Sequence, residues 1–256
     1  MTLEACTEAL RQHDPDRFGA VLAAESRDRP VLITLYALNL EVARAPFQSN
    51  EPMLAEIRLQ WWIDRLQEMG RGVAPPLHDV LTPLWEAWGV DSGPLAALAE
   101  ARQRDCEPRP FAALAEVVDY VDATAGTLMW SAARRCGVAE GQREIVAHQA
   151  RGAGLAAWLR ALPQLQALGL GLGQPDPADA TSLAVAARDG LRLAARLHSK
   201  VPRRAAAALY PGPRVPRLLS EIIAGRVDPF ATTPQIVPFQ RRASLARLAL
   251  TGRWWR

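Results

Sequence analysis

An all-α fold is predicted by three observations. Apolar residues recur with the three-to-four spacing of a helix face along almost the whole chain. Helix starts and stops are written repeatedly, as Asp-Pro or lone Pro at the openings and Gly at the ends. No stretch alternates apolar and polar residues as a strand would, and no internal repeat or low-complexity tract is present.

The elements follow in order. Asp14-Pro15 is a cap followed by a proline that needs no N–H partner, and it opens a helix to about residue 26. A second helix is predicted over about 29–45, where Pro46 stops it, because proline lacks the donor and crowds the preceding turn. A third covers about 51–69 and closes at Gly70 and Gly72. Pro75-Pro76 is read as the start of a short helix to about Trp88, and another runs from about Gly93 to Cys106. Pro110 opens what is read as the longest helix, ending near Gly137, followed by one from about Glu140 to Leu168. Gly169 to Pro177 reads as a flexible break. Helices return over about 178–200, 203–209 and 214–225, and residues 231–256 are set apart as a basic tail behind a body of residues 1–230.

Bulk properties narrow the function classes. The chain has 256 residues, 49% hydrophobic and 22% charged, with mean hydropathy −0.06, enough to bury a sizeable core. A net charge of +3 does not indicate nucleic acid. Cys6, Cys106 and Cys136 lack CxxC spacing, so neither a zinc site nor a disulfide framework is expected, and a reducing compartment fits. The start has no basic-then-apolar leader, and no apolar run approaches the roughly 18 residues that span a bilayer. The expected location is cytoplasmic, or peripheral on the inner face of a membrane.

Two stretches carry the chemistry. Arg29 to Phe47 reads Arg-Pro-Val-Leu-Ile-Thr-Leu-Tyr-Ala-Leu-Asn-Leu-Glu-Val-Ala-Arg-Ala-Pro-Phe, and Glu56 to Leu66 reads Glu-Ile-Arg-Leu-Gln-Trp-Trp-Ile-Asp-Arg-Leu. Further on come Tyr120-Val121-Asp122-Ala123-Thr124-Ala125-Gly126, and Gly152-Ala153-Gly154-Leu155 leading to Leu159-Arg160-Ala161-Leu162-Pro163-Gln164-Leu165. In this order they resemble the squalene/phytoene synthase family, whose members join two prenyl diphosphates head to head. The resemblance implies an isoprenoid-synthase-type helical bundle around a central cavity. It also implies two Asp-rich boxes that hold Mg²⁺ against the diphosphates.

Both boxes have lost their acids. The first falls on Ala43, Arg44 and Phe47, and the second on Ala161 and Leu165. Carboxylates one turn apart on a helix can hold Mg²⁺, which stabilises the departing diphosphate. Alanine, leucine and phenylalanine cannot, and an arginine repels the ion. No catalytic residue and no cofactor are therefore expected, with Mg²⁺ entering only if the chain is an active synthase. The Leu-Arg-x-x-Pro form of the second box resembles a branch that includes the mitochondrial assembly factor for respiratory complex I and its bacterial relatives.

The remaining acids do not rebuild the boxes. Glu116, Asp119 and Asp122 share a helix face and read as a solvated stripe, and Asp64 and Glu68 read as surface ion-pair partners. Arg58 and Arg160 lie among apolar residues, Ile57, Leu59 and Trp62 around one and Leu155, Leu159 and Leu162 around the other. Each either pairs with an acid such as Glu25 or Glu56 or holds an anion without metal. Tyr36, Arg58, Trp62, Tyr120, Gly126, His148 and Arg160 form the candidate cavity and anion set. None of the four histidines has metal-pair or triad spacing, and Gly169-x-Gly171-x-Gly173 follows no strand. In the tail, Arg241, Arg242, Arg247, Trp254 and Trp255 are the candidate membrane contacts. The partners expected are a protein of a membrane respiratory complex, a lipid or isoprenoid ligand and a membrane surface. A synthase, or a helper of isoprenoid synthesis, is the alternative.

Overall fold

In the computed structural model, which describes residues 3–49, 51–231 and 235–255, every regular element is helical. The nearest approach to a sheet among them is one isolated parallel bridge between Phe111 and Leu172. The chain packs as two compact units, Met1–Glu107 and Pro108–Arg256. The boundary expected at residue 230 falls inside the second.

The first unit is built on α1 (Leu3–His13), α2 (Pro15–Leu22), α3 (Arg29–Arg44), α4 (Pro52–Gly70), α5 (Leu81–Trp88) and α6 (Ala96–Glu100). Asp14 caps α2 through its Oδ1, which accepts the Arg17 N–H at 3.0 Å. The helix stops at Leu22, short of the expected residue 26, because Glu25 turns extended before a short 3-10 turn over Ser26–Asp28. Pro30 starts α3, where Leu32, Leu35 and Leu38 have no exposed surface. Each such leucine contributes about 1.5–3 kcal/mol by leaving water. Ile33, Thr34, Tyr36 and Ala37 are buried too, so α3 is covered almost all round. Ala45–Phe47 tightens into a 3-10 turn at Pro46, as the proline requires.

Two predicted helices of this unit differ. Pro75-Pro76 opens none, since the ring Nδ1 of His78 accepts the N–H groups of Val80 and Leu81 at 3.1 and 3.3 Å and the helix begins only at Leu81. The predicted 93–106 helix is broken into 3-10 turns over Gly89–Leu95 and Gln103–Cys106, with α6 between them. Its first turn passes α4 so closely that a Cβ on Gly93 would sit 2.7 Å from the Gly70 Cα.

The second unit holds α7 (Leu114–Val121), α8 (Thr127–Arg135), α9 (Arg143–Ala167), α10 (Pro177–Arg196), α11 (Val215–Ile223) and α12 (Pro238–Thr251). The expected continuous helix from Pro110 to Gly137 is interrupted by a π-helical turn over Asp122–Gly126, and the longest helix is α9, at 25 residues. On α9, Ile145, Gln149, Gly152, Leu155, Trp158 and Leu162 are all buried, so it is the axis of this unit. Gly152 and Gly190 let α9 and α10 touch: a Cβ on Gly190 would lie 2.8 Å from the His148 carbonyl oxygen. The stretch read as a flexible break is tied down instead, with Phe111 N donating to Gly171 O at 2.8 Å and Gly173 N to Phe111 O at 2.9 Å. The predicted 178–200 helix ends at Arg196, and 203–209 is only a 3-10 turn over Arg203–Ala206.

The tail is part of this unit. Tyr210 and Ser244 share a hydrogen bond at 2.7 Å, Arg203 Nη2 donates to Leu250 O at 3.3 Å, and Leu248 is buried. Trp254, expected at a membrane interface, is only 2% exposed, and Trp255 stacks on His198 at 3.9 Å between ring centroids. Trp254 is corrected to a packing role, while Trp255 stays half-buried. Residues 232–234 and Arg256 lie outside the described residues.

Candidate functional site: two boxes without acids

In the first unit, Ala43 and Arg44 sit half-buried in the last turn of α3, and Phe47 is 48% exposed beyond it. Tyr36, two turns earlier, is buried, with the Arg17 guanidinium 5.5 Å from its ring centroid. Trp62 is buried against Trp61 and His78, both edge-on at 5.1 and 5.2 Å.

Arg58 departs from its predicted setting. Neither suggested acid takes it: Glu25 pairs with Arg27 at 2.9 Å, and Glu56 is exposed. Its Nη1 is buried without a hydrogen-bond partner among the described residues. The helix around it is not core-facing throughout, because Ile57 is 57% exposed. With Met53, Leu54 and Trp61, also exposed, it forms an outward apolar face of α4. This face is not singled out in the sequence. The signal available was Met53, Ile57 and Trp61 recurring every four residues. Glu56, Gln60 and Asp64 flank it on one side.

In the second unit, Ala161 and Leu165 lie half-buried on α9, and Leu165 packs against the apolar cluster that contains Phe111, Trp158 and Leu162. Arg160 donates from Nη2 to Pro213 O at 3.4 Å, which ties it to the backbone. Tyr120 packs edge-on against Phe111 at 5.5 Å. His148 lies 3.7 Å from Glu144, one turn away. His148 and Arg160 are twelve residues apart on one helix, roughly 18 Å along its axis, so they cannot share one headgroup. Gly126 closes the π turn, and Gly154 lets α9 press on that turn, since a Cβ there would meet Val121 and Ala125 at 2.5 and 2.7 Å.

The acidic stripe resolves into three different uses. Glu116 Oε2 accepts the Ala112 N–H at 3.1 Å, Asp119 is exposed, and Asp122 is paired with Arg151 of α9 at 2.5 Å. The Asp122–Arg151 pair joins the π turn to α9 and was not recognised in the sequence. Its hydrogen bonds, with the charges of Asp122 and Asp119, raise the Arg151 guanidinium above its ordinary range. Both side chains remain more than a third exposed, so water screens the pair. Asp122→Asn is expected to cost about 1 kcal/mol or less, read as a small drop in the urea midpoint that shrinks further in high salt.

Glu68 makes the expected surface ion pair, with Arg65 at 2.8 Å, whereas Asp64 accepts from the neutral Gln60 amide Nε2 at 2.8 Å. Burial pushes the Cys6 and Cys106 thiols up to about 11, so neither is a thiolate nucleophile near neutral pH. The residues at both boxes offer no oxygen ligand, so they do not fit the Mg²⁺ that the family resemblance implies. Among the described residues no group of three or more His, Cys, Asp or Glu is placed to hold a metal. No described helix is long and apolar enough to cross a membrane.

Comparison with known proteins agrees with the helical architecture. A family model described as squalene/phytoene synthase matches residues 10–169. A mouse protein, NADH dehydrogenase (ubiquinone) complex I, assembly factor 6, is 24% identical over 162 residues. Those residues are 62% of this chain and 48% of the mouse protein, so the match spans about half of that relative's length. Among solved structures, a dehydrosqualene synthase in complex with ligand superposes with TM-score 0.75 at 12% identity, covering 96% of this chain and 94% of that one. Squalene synthase HpnC from Alicyclobacillus acidocaldarius gives 0.66 at 16% identity, covering 98% and 94%. YisP from Bacillus subtilis gives 0.65 at 14%, covering 95% and 94%. At these identities the likeness is one of fold, the all-α isoprenoid-synthase fold.

Proposed function

The chain belongs to the squalene/phytoene synthase family, and from that premise we propose that it is a non-catalytic member, an assembly or binding factor for a membrane respiratory complex. The observation that carries the reading is the residue content of the two boxes: Ala43, Arg44 and Phe47 in one, Ala161 and Leu165 in the other. A departing diphosphate needs its growing charge stabilised, and these side chains supply no ligand for the metal that would do it. The mouse relative named as a complex I assembly factor supports the choice of partner.

The outward face of α4 supports a binding role. Met53 is 72% exposed and Ile57 57%, at a spacing that puts both on one side, with Trp61 next along it. Apolar side chains gathered on one helix face mark an interaction surface more often than isolated ones do. Glu56 and Asp64 beside them favour an apolar protein segment that carries basic residues. A lipid or isoprenoid ligand held by arginine without metal belongs to the same reading. Arg58 Nη1, buried and unpartnered among the described residues, is then the group nearest an anionic head.

Two measurements test the reading. Purified protein incubated with farnesyl or geranylgeranyl diphosphate and Mg²⁺ is expected to form C30 or C40 product at least about 10³-fold more slowly than an active synthase, matching the several kcal/mol a metal clamp supplies. Metal-dependent product at ordinary turnover overturns it. A deletion strain is expected to lose complex I activity, restored by the wild-type gene but poorly by Ile57→Glu. Normal complex I with altered carotenoids or hopanoids would instead indicate a helper of isoprenoid synthesis.

A further inference from the structure

The inward-facing side of α12 accounts for Ser244, Leu248 and, just beyond, Trp254, which fix the helix to its unit. The opposite side is left outward and is of one chemical kind. Phe239 is 77% exposed and Leu250 80%, eleven residues apart, which is three turns and therefore the same side. Ala243 and Ala246, both exposed, fill the strip between them. Arg242 and Arg247, also exposed, stand on opposite flanks of this strip, about 60–80° to either side at 100° per residue. Arg253 is exposed just past the helix end, and Arg203 lies against that end. From Gln235 to Trp255 there is no aspartate or glutamate.

We propose that this outward side of α12 docks on an anionic lipid surface, with Phe239 and Leu250 entering the headgroup–acyl boundary and Arg242 and Arg247 meeting lipid phosphates on either side. Large apolar side chains alone would suit many occupants. The choice is made by charge, because the strip is bordered by arginine on both flanks and its own segment carries no aspartate or glutamate, the pattern that complements a negatively charged bilayer. Arginine stems can lie along the boundary while their guanidinium groups reach the phosphates, so the apolar and cationic contacts form together. The helix is already folded and fixed from behind, so docking does not have to order a disordered peptide. The tryptophans that composition alone assigns to this task take no part. The inference does not depend on the identity of any protein partner.

The test is sedimentation of the full-length protein with phosphatidylcholine vesicles and with vesicles containing phosphatidylglycerol or cardiolipin. Binding to the anionic vesicles, weakened by added salt, with little binding to phosphatidylcholine alone, is expected. An arginine near such a surface is worth about 1 kcal/mol, roughly fivefold, so Arg242→Gln with Arg247→Gln is expected to lower partitioning roughly 25-fold. Phe239→Ser with Leu250→Ser is expected to lower it at least about tenfold while leaving the circular dichroism spectrum and thermal midpoint unchanged, since both side chains face water. Absence of binding to anionic vesicles overturns the proposal. So does binding that the Phe239 and Leu250 changes leave intact, which would mark a purely electrostatic surface for an acidic macromolecule.

Discussion

Gly190→Ala lowers stability by about 1–2 kcal/mol, although alanine is the better helix former. Alanine in a helix interior gains about 1 kcal/mol over glycine. Against this, the added Cβ would lie 2.8 Å from the His148 carbonyl oxygen and 3.5 Å from the Gly152 nitrogen. Both are backbone atoms of α9, so no side-chain rotation relieves the contact and the two helices must move apart. Overfilling a close-packed contact costs about 1–3 kcal/mol, and parting the most intimate helix pair of the second unit adds to it. The expected thermal shift is about 2–4 °C downward for each kcal/mol lost. Gly141→Ala is the matched control: nothing lies within 4 Å of its Cβ, and a change of about 0.5 kcal/mol or less is expected there. Equal effects at the two positions would refute the close-approach account.

Trp254→Ala is the larger of the two, at about 3–5 kcal/mol, the usual cost of truncating a buried tryptophan. The side chain is 2% exposed and meets Trp255 edge-on at 5.5 Å, which in turn stacks on His198. Its loss removes the buried ring against which Trp255 packs, just past the end of α12. Urea unfolding measures the stability, and limited proteolysis between α11 and α12 reports the release. A Trp254→Ala protein with unchanged midpoint would restore the interfacial role that composition suggests.

That contrast shows where the sequence is readable. Pro30, the apolar run through Leu32, Leu35 and Leu38, and Pro46 announce α3 almost to the residue, because local sterics and burial on nearly every side act together. The absence of carboxylates at Ala43, Arg44, Phe47, Ala161 and Leu165 is plain in the sequence, while their assignment to two boxes rests on the family resemblance. Pro75-Pro76 misleads because a ring nitrogen of His78, and not proline, satisfies the first N–H groups of α5. The Trp254-Trp255 pair misleads because an amphipathic ring suits an interface and an interior equally. Asp122 could not be separated from Asp119 as a salt-bridge partner, because Arg151 is 29 residues away and reaches it only through the packing of α9. The outward face of α4 was hidden by its composition: apolar residues lie on both of its sides, and only tertiary packing decides which of them water sees.

The π turn over Asp122–Gly126 has a further consequence. A turn with i→i+5 bonding holds one residue more than an α turn, so it absorbs an extra residue without breaking the ladder on either side. Deleting a residue there would restore ordinary helix and keep α8 in its present phase, whereas deleting one from α7 would rotate α8 by about 100° relative to the start of α7. Leu128, Ala132 and Ala133 would then swing out of the interior. The π turn is thus the place in this helix where a one-residue change in length is absorbed, while α7 and α8 on either side must keep their residue number.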